Sequence, residues 1–258
     1  FSFFLKDFQI IKLDNRDEAM VGENNLCVSE NYILVCGSVY ELHPCRLFTK
    51  KGEFVTNIGA IGQGPGEYRA VYKAEIDEKH NCIYLMPFAN SNAIYVYDLA
   101  GKPLRSIPLH QSVSKAVFKV DADKRELTVG ALPFTGYPFV AWVQDFEGHL
   151  LDSVPAARHL SVLPDYSNEV MYGANTEVFD LYISTFFELR PDTLYHYIRS
   201  ESRLKPRFTL NIGDRKRSIT TFYELPQAYV GRLMVEEQVG DGMWETKSPS
   251  NFIVDKAS

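Results

Sequence analysis

The feature that most limits what this chain can become is a β-hairpin that recurs. Arg46-Leu47-Phe48-Thr49 turns through Lys50-Lys51-Gly52 into residues 53–58. Residues 93–98 turn through Leu99-Ala100-Gly101 into 103–107, and residues 140–145 through Phe146-Glu147-Gly148 into 150–154. Residues 193–198 turn through Arg199-Ser200-Glu201 into a strand ending near Leu210, and 251–255 begin a fifth copy. The equivalent positions Thr49, Asp98, Asp145, Ile198 and Asp255 lie 49, 47, 53 and 57 residues apart. Each unit carries an earlier pair of strand-like runs, clearest at 71–76 with 82–86. A four-stranded unit repeating every ~40–50 residues is the mark of a propeller blade. One small twisted sheet cannot bury both faces, whereas stacked sheets cover each other and leave only short edges. In the Asp-x-x-Gly turns, Asp accepts from main-chain N–H groups ahead of it and Gly takes the positive φ that closes the hairpin.

The expected fold is therefore an all-β propeller of four-stranded antiparallel blades, about five of them visible. Residues 1–258 are read as one domain, incomplete at its C-terminus, since the fifth unit stops where its last turn begins. Residues 8–13 read as a further strand. It either pairs with 251–254 and closes a five-bladed ring or leaves a gap where a sixth blade belongs; the reading favours the gap. Residues 225–239 favour strand over helix because of Pro226, Gly231 and their β-branched neighbours. Residues 155–166 read as an irregular connection.

Between the first two units lies Gly59-Ala60-Ile61-Gly62-Gln63-Gly64-Pro65-Gly66-Glu67-Tyr68. A phosphate-binding loop would need Lys and a hydroxyl where Glu67 and Tyr68 stand, and a dinucleotide fingerprint would need a helix next. The next residues are Tyr72-Lys73-Ala74-Glu75-Ile76-Asp77, which alternate like a strand. The stretch reads as an ordered turn, with Glu67 and Tyr68 pinning the neighbouring blade.

Gly62, Gly64, Pro65, Gly66, Glu67 and Tyr68, led by Phe54-Val55-Thr56-Asn57-Ile58-Gly59, resemble the signature of a six-bladed β-propeller family of Bacteroides-type bacteria, related to NHL-repeat propellers. The resemblance implies export to the periplasm or cell surface, often as a lipoprotein anchored through a removed N-terminal segment. Most members have no assigned activity.

Composition excludes several classes of partner. Net charge is −6, and the densest basic run, Arg215-Lys216-Arg217, is short. Nucleic acid is not an expected partner. No apolar run approaches the length of a membrane span. Cys27, Cys36, Cys45 and Cys82 form no Cys-x-x-Cys pair, which excludes a zinc ribbon or thioredoxin-type motif. Cys27, Cys36 and Cys82 read as small buried hydrophobes; if the chain is exported, Cys27–Cys36 is the favoured disulfide across neighbouring strands.

No catalytic machinery is legible. His43, His80, His110, His149, His159 and His196 show no metal-ligand spacing, and no Gly-x-Ser-x-Gly elbow occurs. No metal or cofactor is expected. Glu67, Asp77, Asp180, Glu236 and Glu237 are acids that a propeller could bring together, though loop acids of structural role are the simpler reading. Tyr72, Phe134, Phe139 and Trp142 could contribute to a sugar or peptide platform. Tyr68, Arg69 and Tyr137, each beside Gly or Pro in a loop, are the ligand-binding candidates. The expected function is a non-catalytic binding or scaffold protein of the bacterial cell envelope with a glycan or protein ligand. The alternative is a metal-dependent lactonase- or lyase-like propeller enzyme.

Overall fold

A computed structural model describes residues 8–22, 24–38, 40, 42–156, 167–185, 192–211 and 216–257. The chain divides into two compact units, Phe1–Ser112 and Val113–Ser258. Among the described residues both are all-β apart from short 3-10 turns such as Asp17–Ala19, and no helix is long and apolar enough to cross a membrane.

The first unit holds two antiparallel four-stranded sheets. β1 (Asn24–Val28), β2 (Tyr32–Gly37), β3 (Cys45–Thr49) and β4 (Phe54–Ile58) pair in chain order. The glycine loop comes next, closed by a short parallel pair, β5 (Ala60–Ile61) with β6 (Glu67–Tyr68). β7 (Val71–Asp77), β8 (Cys82–Pro87), β9 (Ser91–Tyr97) and β10 (Ile107–Val113) form the second sheet. Its apolar face meets that of the first sheet. Leu34, Leu47 and Ile58 share one buried cluster with Ile83, Leu85 and Tyr97. Ile83, Leu85 and Tyr97 are fully buried and Tyr95 half-buried, while Lys102 in the turn is exposed, as face-to-face stacking requires.

The second unit repeats the pattern. β11 (Ala116–Asp121), β12 (Glu126–Ala131), β13 (Phe139–Asp145) and β14 (Leu150–Pro155) form the third sheet. β15 (Glu169–Met171), β16 (Asp180–Ser184), β17 (Thr193–Ile198) and β18 (Arg203–Thr209) form the fourth. The fifth contains β19 (Lys216–Glu224), β20 (Ala228–Gly240), β21 (Met243–Thr246) and β22 (Ser250–Asp255). Here β21 and β22 lie end to end on one side of β20: Glu236 opposes Thr246, and Leu233 opposes Ser250. Four strands thus fill three rows.

The hairpin turns work as their sequences predict. Asp98 Oδ1 accepts from Ala100 N and Lys102 N at 3.0 and 2.9 Å. Asp145 Oδ1 accepts from Glu147 N and His149 N at 2.9 and 2.8 Å.

Four expectations need correction. Residues 8–13 belong to no strand; Ile11 and Leu13 pack on the first sheet through side chains, and the chain is tied by Asp14 N to Gly52 O at 2.8 Å. The fourth strand of the second sheet starts at Ile107, not Pro103. The disulfide is Cys36–Cys45, not Cys27–Cys36, and Cys27 and Cys82 are free, half-buried thiols. Register decides this: Cys27 opposes Leu34 and so lies diagonal to Cys36, whereas Cys45 faces Cys36 across β2–β3 at a Cα–Cα distance of 4.0 Å. The four-stranded sheets among the described residues number five, so the sixth blade implied by the resemblance is not among them. Residues 157–166, most of the predicted connection, and His159 within them lie outside the described residues.

Candidate functional site

The glycine loop is a knot of hydrogen bonds around two phenols. Tyr68 is 4% exposed. Its Oη donates to Ile58 O at 2.5 Å and accepts from Cys45 N at 2.7 Å, so one side chain ties the loop to both strands of the preceding hairpin. Tyr97 Oη donates to Gly66 O at 3.2 Å. Glu67 Oε2 accepts from Gly64 N at 2.8 Å. Gly59 has φ +65°, and a Cβ there would sit 2.9 Å from both tyrosine rings, so glycine is required on both counts. Burial pushes the Tyr68 phenol well above its ordinary range and raises Tyr97 to about 12, which keeps both neutral.

Beside this knot the second sheet opens. Pro103 bridges to Tyr97, Leu104 N donates to Val96 O at 2.7 Å, and the chain then leaves the ladder until β10. Pro103 has no N–H to contribute to a ladder, which weakens pairing where the strand would otherwise run on. The result is a half-open cleft of about 360 Å³. Gly64, Pro65 and Gly66 form one wall, Tyr95, Val96 and Tyr97 the floor, and Pro103, Leu104 and Ser106 the other wall. The walls touch where Gly66 meets Pro103; a Cβ on Gly66 would come 3.1 Å from Pro103 Cβ. None of these nine residues carries a carboxylate, imidazole, thiol or amine.

The predicted binding residues fall in both units. Tyr68 is buried inside the knot, and Arg69 next to it is exposed. Tyr137 belongs to the second unit; its Oη accepts from Ser114 N at 3.0 Å and its ring packs edge-on to Phe134. Among the other aromatics, Tyr72 stacks on Phe88, and Trp142 is fully buried with Nε1 donating to Gln144 Oε1 at 2.9 Å. Asp77 and Asp145 each hold a turn histidine, His80 and His149, at 2.7 and 2.8 Å. Glu236 and Glu237 sit along β20, facing Thr246 and Lys247.

Sequence reading missed a buried ionic chain in the second unit. Arg207 Nε donates to His196 Nδ1 at 3.1 Å; His196 Nε2 meets Glu224 Oε2 at 2.5 Å; Lys256 Nζ donates to Glu224 Oε1 at 2.5 Å. With Nδ1 accepting, Nε2 carries the proton given to Glu224. His196 and Glu224 are 7% and 3% exposed. The chain joins β17 and β18 of the fourth sheet to the end of β19 and the residue after β22. Burial alone would raise the Glu224 carboxyl, but the bonds from Lys256 and His196 outweigh it and hold it below the usual range. Asp180, which opposes His196 on β16, behaves oppositely: burial raises it, and the Glu224 charge adds to that. Its Oδ1 is buried without a partner, while Oδ2 accepts from Gly173 N at 3.3 Å. No motif spacing could have flagged this cluster, because its members come from five separated segments. Among the described residues no three His, Cys, Asp or Glu side chains are grouped to hold a metal ion.

Four-stranded antiparallel meanders, repeated and stacked face to face within each unit, define a β-propeller-type domain. Residues 1–236 match the domain of unknown function DUF4934, and the chain belongs to that family. It is similar in fold to a Bacteroides fragilis protein provisionally described as exported, with 16% identity, a TM-score of 0.59, and coverage of 95% of this chain and 75% of that one. A Bacteroides uniformis protein provisionally described as a 6-phosphogluconolactonase matches at 13% identity and a TM-score of 0.49, over 89% of this chain and 70% of that one. The periplasmic gluconolactonase of Pseudomonas aeruginosa matches at 13% identity and a TM-score of 0.45, over 87% and 70%. No curated protein matches.

Proposed function

We propose that this domain is a non-catalytic binding module of an exported bacterial envelope protein, with its ligand seated in the cleft beside the glycine loop. The observation that carries this is the lining: a walled cleft with no carboxylate, imidazole, thiol or amine, whose titratable side chains are the Tyr95 and Tyr97 phenols, with Tyr97 held neutral by burial, is poorly equipped for acid–base chemistry and presents tyrosine and proline residues to a ligand. Export is supported by the Cys36–Cys45 disulfide, a bond that persists in oxidising compartments, and by the fold it shares with the exported Bacteroides fragilis protein. Tyr68 serves binding indirectly by fixing the loop that forms one wall, Arg69 remains a proposed contact outside the cleft lining, and Tyr137 is a separate proposed contact on the second unit.

The test is amide-resolved NMR with pools of envelope glycans and peptides. At least one pool should shift the amides of Gly64, Gly66 and Ser106, and the shifts should vanish in Leu104→Glu. No pool shifting them overturns the reading. The competing enzyme reading has a separate test. Hydrolysis of lactones above the buffer rate by the purified domain with added calcium, magnesium or zinc would replace the binding role.

A further inference from the structure

The cleft lining discriminates between ligand classes. A glycan buries hydroxyl groups, and each one left without a partner weakens binding by about tenfold or more. The cleft has little to offer them. Val96 O is taken by Leu104 N, Gly66 O by Tyr97 Oη, and Gly64 N by Glu67 Oε2. Ser106 supplies a single short hydroxyl. What the cleft presents instead is Pro65, Pro103 and Leu104 on its walls, with Tyr95 in its floor. A polyproline II segment suits such a surface. It has no internal hydrogen bonds, keeps its main chain solvated, and offers ring faces at three residues per turn.

Charge adds a second, independent constraint. Lys102 and Arg105 flank Pro103 and Leu104 in sequence, are exposed, and have no ion-pair partner among the described residues. The acid of the opposite wall, Glu67, is tied to Gly64 N. In a chain of net charge −6, this is a local basic rim.

We infer that the ligand of this cleft is an extended, proline-containing peptide segment with an acidic residue beside the proline. This rests on the binding reading above and names its ligand class. The probes are a synthetic oligoproline peptide ending in two aspartates, the same peptide ending in two lysines, and maltohexaose, each titrated at low salt while amide shifts are monitored. The acidic peptide should shift Gly64, Gly66, Tyr95 and Ser106, and the lysine peptide should bind about tenfold more weakly. Arg105→Glu should reverse that order, and Leu104→Glu, at a 43% exposed position, should abolish the shifts without unfolding the domain. Maltohexaose moving these amides while neither peptide does would overturn the inference and leave the binding reading standing. Shifts that persist in Leu104→Glu, or equal affinity for the two peptides, would overturn it as well. Silence from every probe overturns the peptide inference alone, since the pooled titration decides the binding reading.

Discussion

The two units lock their sheets by opposite chemistry. In the first, the link from one sheet to the next is a neutral knot: two buried phenols, four glycines, and hydrogen bonds to main-chain carbonyls and amides. In the second, the fourth and fifth sheets are joined through a carboxylate set between a neutral imidazole and an ammonium, in the row Arg207–His196–Glu224–Lys256. The phenol bonds of the knot form without desolvating an ion, so they can sit beside an open cleft and hold a wall rigid. The ionic chain buries a carboxylate against an imidazole, with Arg207 and Lys256 at its exposed ends, and the buried carboxylate depends on its partners staying in place. Similar blades can thus be stapled with different sensitivity to pH, and that sensitivity can be measured unit by unit.

The largest effect should come from breaking the ionic chain. Glu224→Ala leaves the buried His196 N–H and the partly exposed Lys256 without their acceptor, and should cost about 3 kcal/mol. Hydrogen exchange should rise in β19 and β22 and stay unchanged in the first unit. Wild-type protein should show the same selectivity in acid. Because the folded Glu224 carboxyl lies below its unfolded value, its contribution is present above about pH 4.5 and is lost as pH falls through the folded value. Loss of protection in the first unit ahead of β19 on acidification would contradict the contrast between the two locks.

The next effect probes the knot from its covalent side. Cys36 and Cys45 are 9 residues apart, and replacing both with Ser should cost about 2–3 kcal/mol. Cys45 N is also the donor to Tyr68 Oη. The double serine variant and Tyr68→Phe should therefore be non-additive in a thermal double-mutant cycle. Strict additivity would show that cross-link and phenol act separately.

Tyr68→Phe alone strands a buried N–H and a buried carbonyl, for about 1–2 kcal/mol. The buried phenols also give an alkaline limb. Tyr97, raised to about 12, contributes stability that is complete below pH 10 and falls away as pH rises towards 12. Stability measured from pH 9 to 12 should decline less steeply in Tyr97→Phe than in wild type.

Much of the fold was legible because repetition amplifies weak signals. A single Asp-x-x-Gly turn means little, but Asp98 and Asp145 at matching places in 49- and 47-residue intervals mean a blade. The glycine loop was legible as a turn and the anchoring use of Tyr68 could be inferred from position, whereas Glu67, expected to pin the neighbouring blade, bonds Gly64 within its own loop. Three things were not legible. The cleft arises because the strand after Pro103 leaves its ladder, and pairing read from composition placed that strand four residues early. The disulfide depends on register, which alternation along one strand does not fix between two. The ionic chain depends on which faces of two sheets meet, and His196 and Glu224 are 28 residues apart without a shared motif.

The smallest predicted effect has the opposite sign and separates the two carboxylates of the ionic region. Asp180 is buried, its Oδ1 lacks a partner, and the charge on Glu224 opposes its ionisation. Its folded value lies above the unfolded one, so its favourable contribution exists at low pH and is lost as pH rises through the folded value. At neutral pH the native state therefore carries an acid it would hold more easily in neutral form. Asp180→Asn keeps an oxygen for Gly173 N and removes the charge beside Glu224. It should stabilise the second unit by on the order of 1 kcal/mol at pH 7, with the gain vanishing near pH 3. Thermal unfolding at the two pH values measures this. A loss at pH 7 would mean that the Asp180 charge is needed, and that an unrecognised cationic partner holds it.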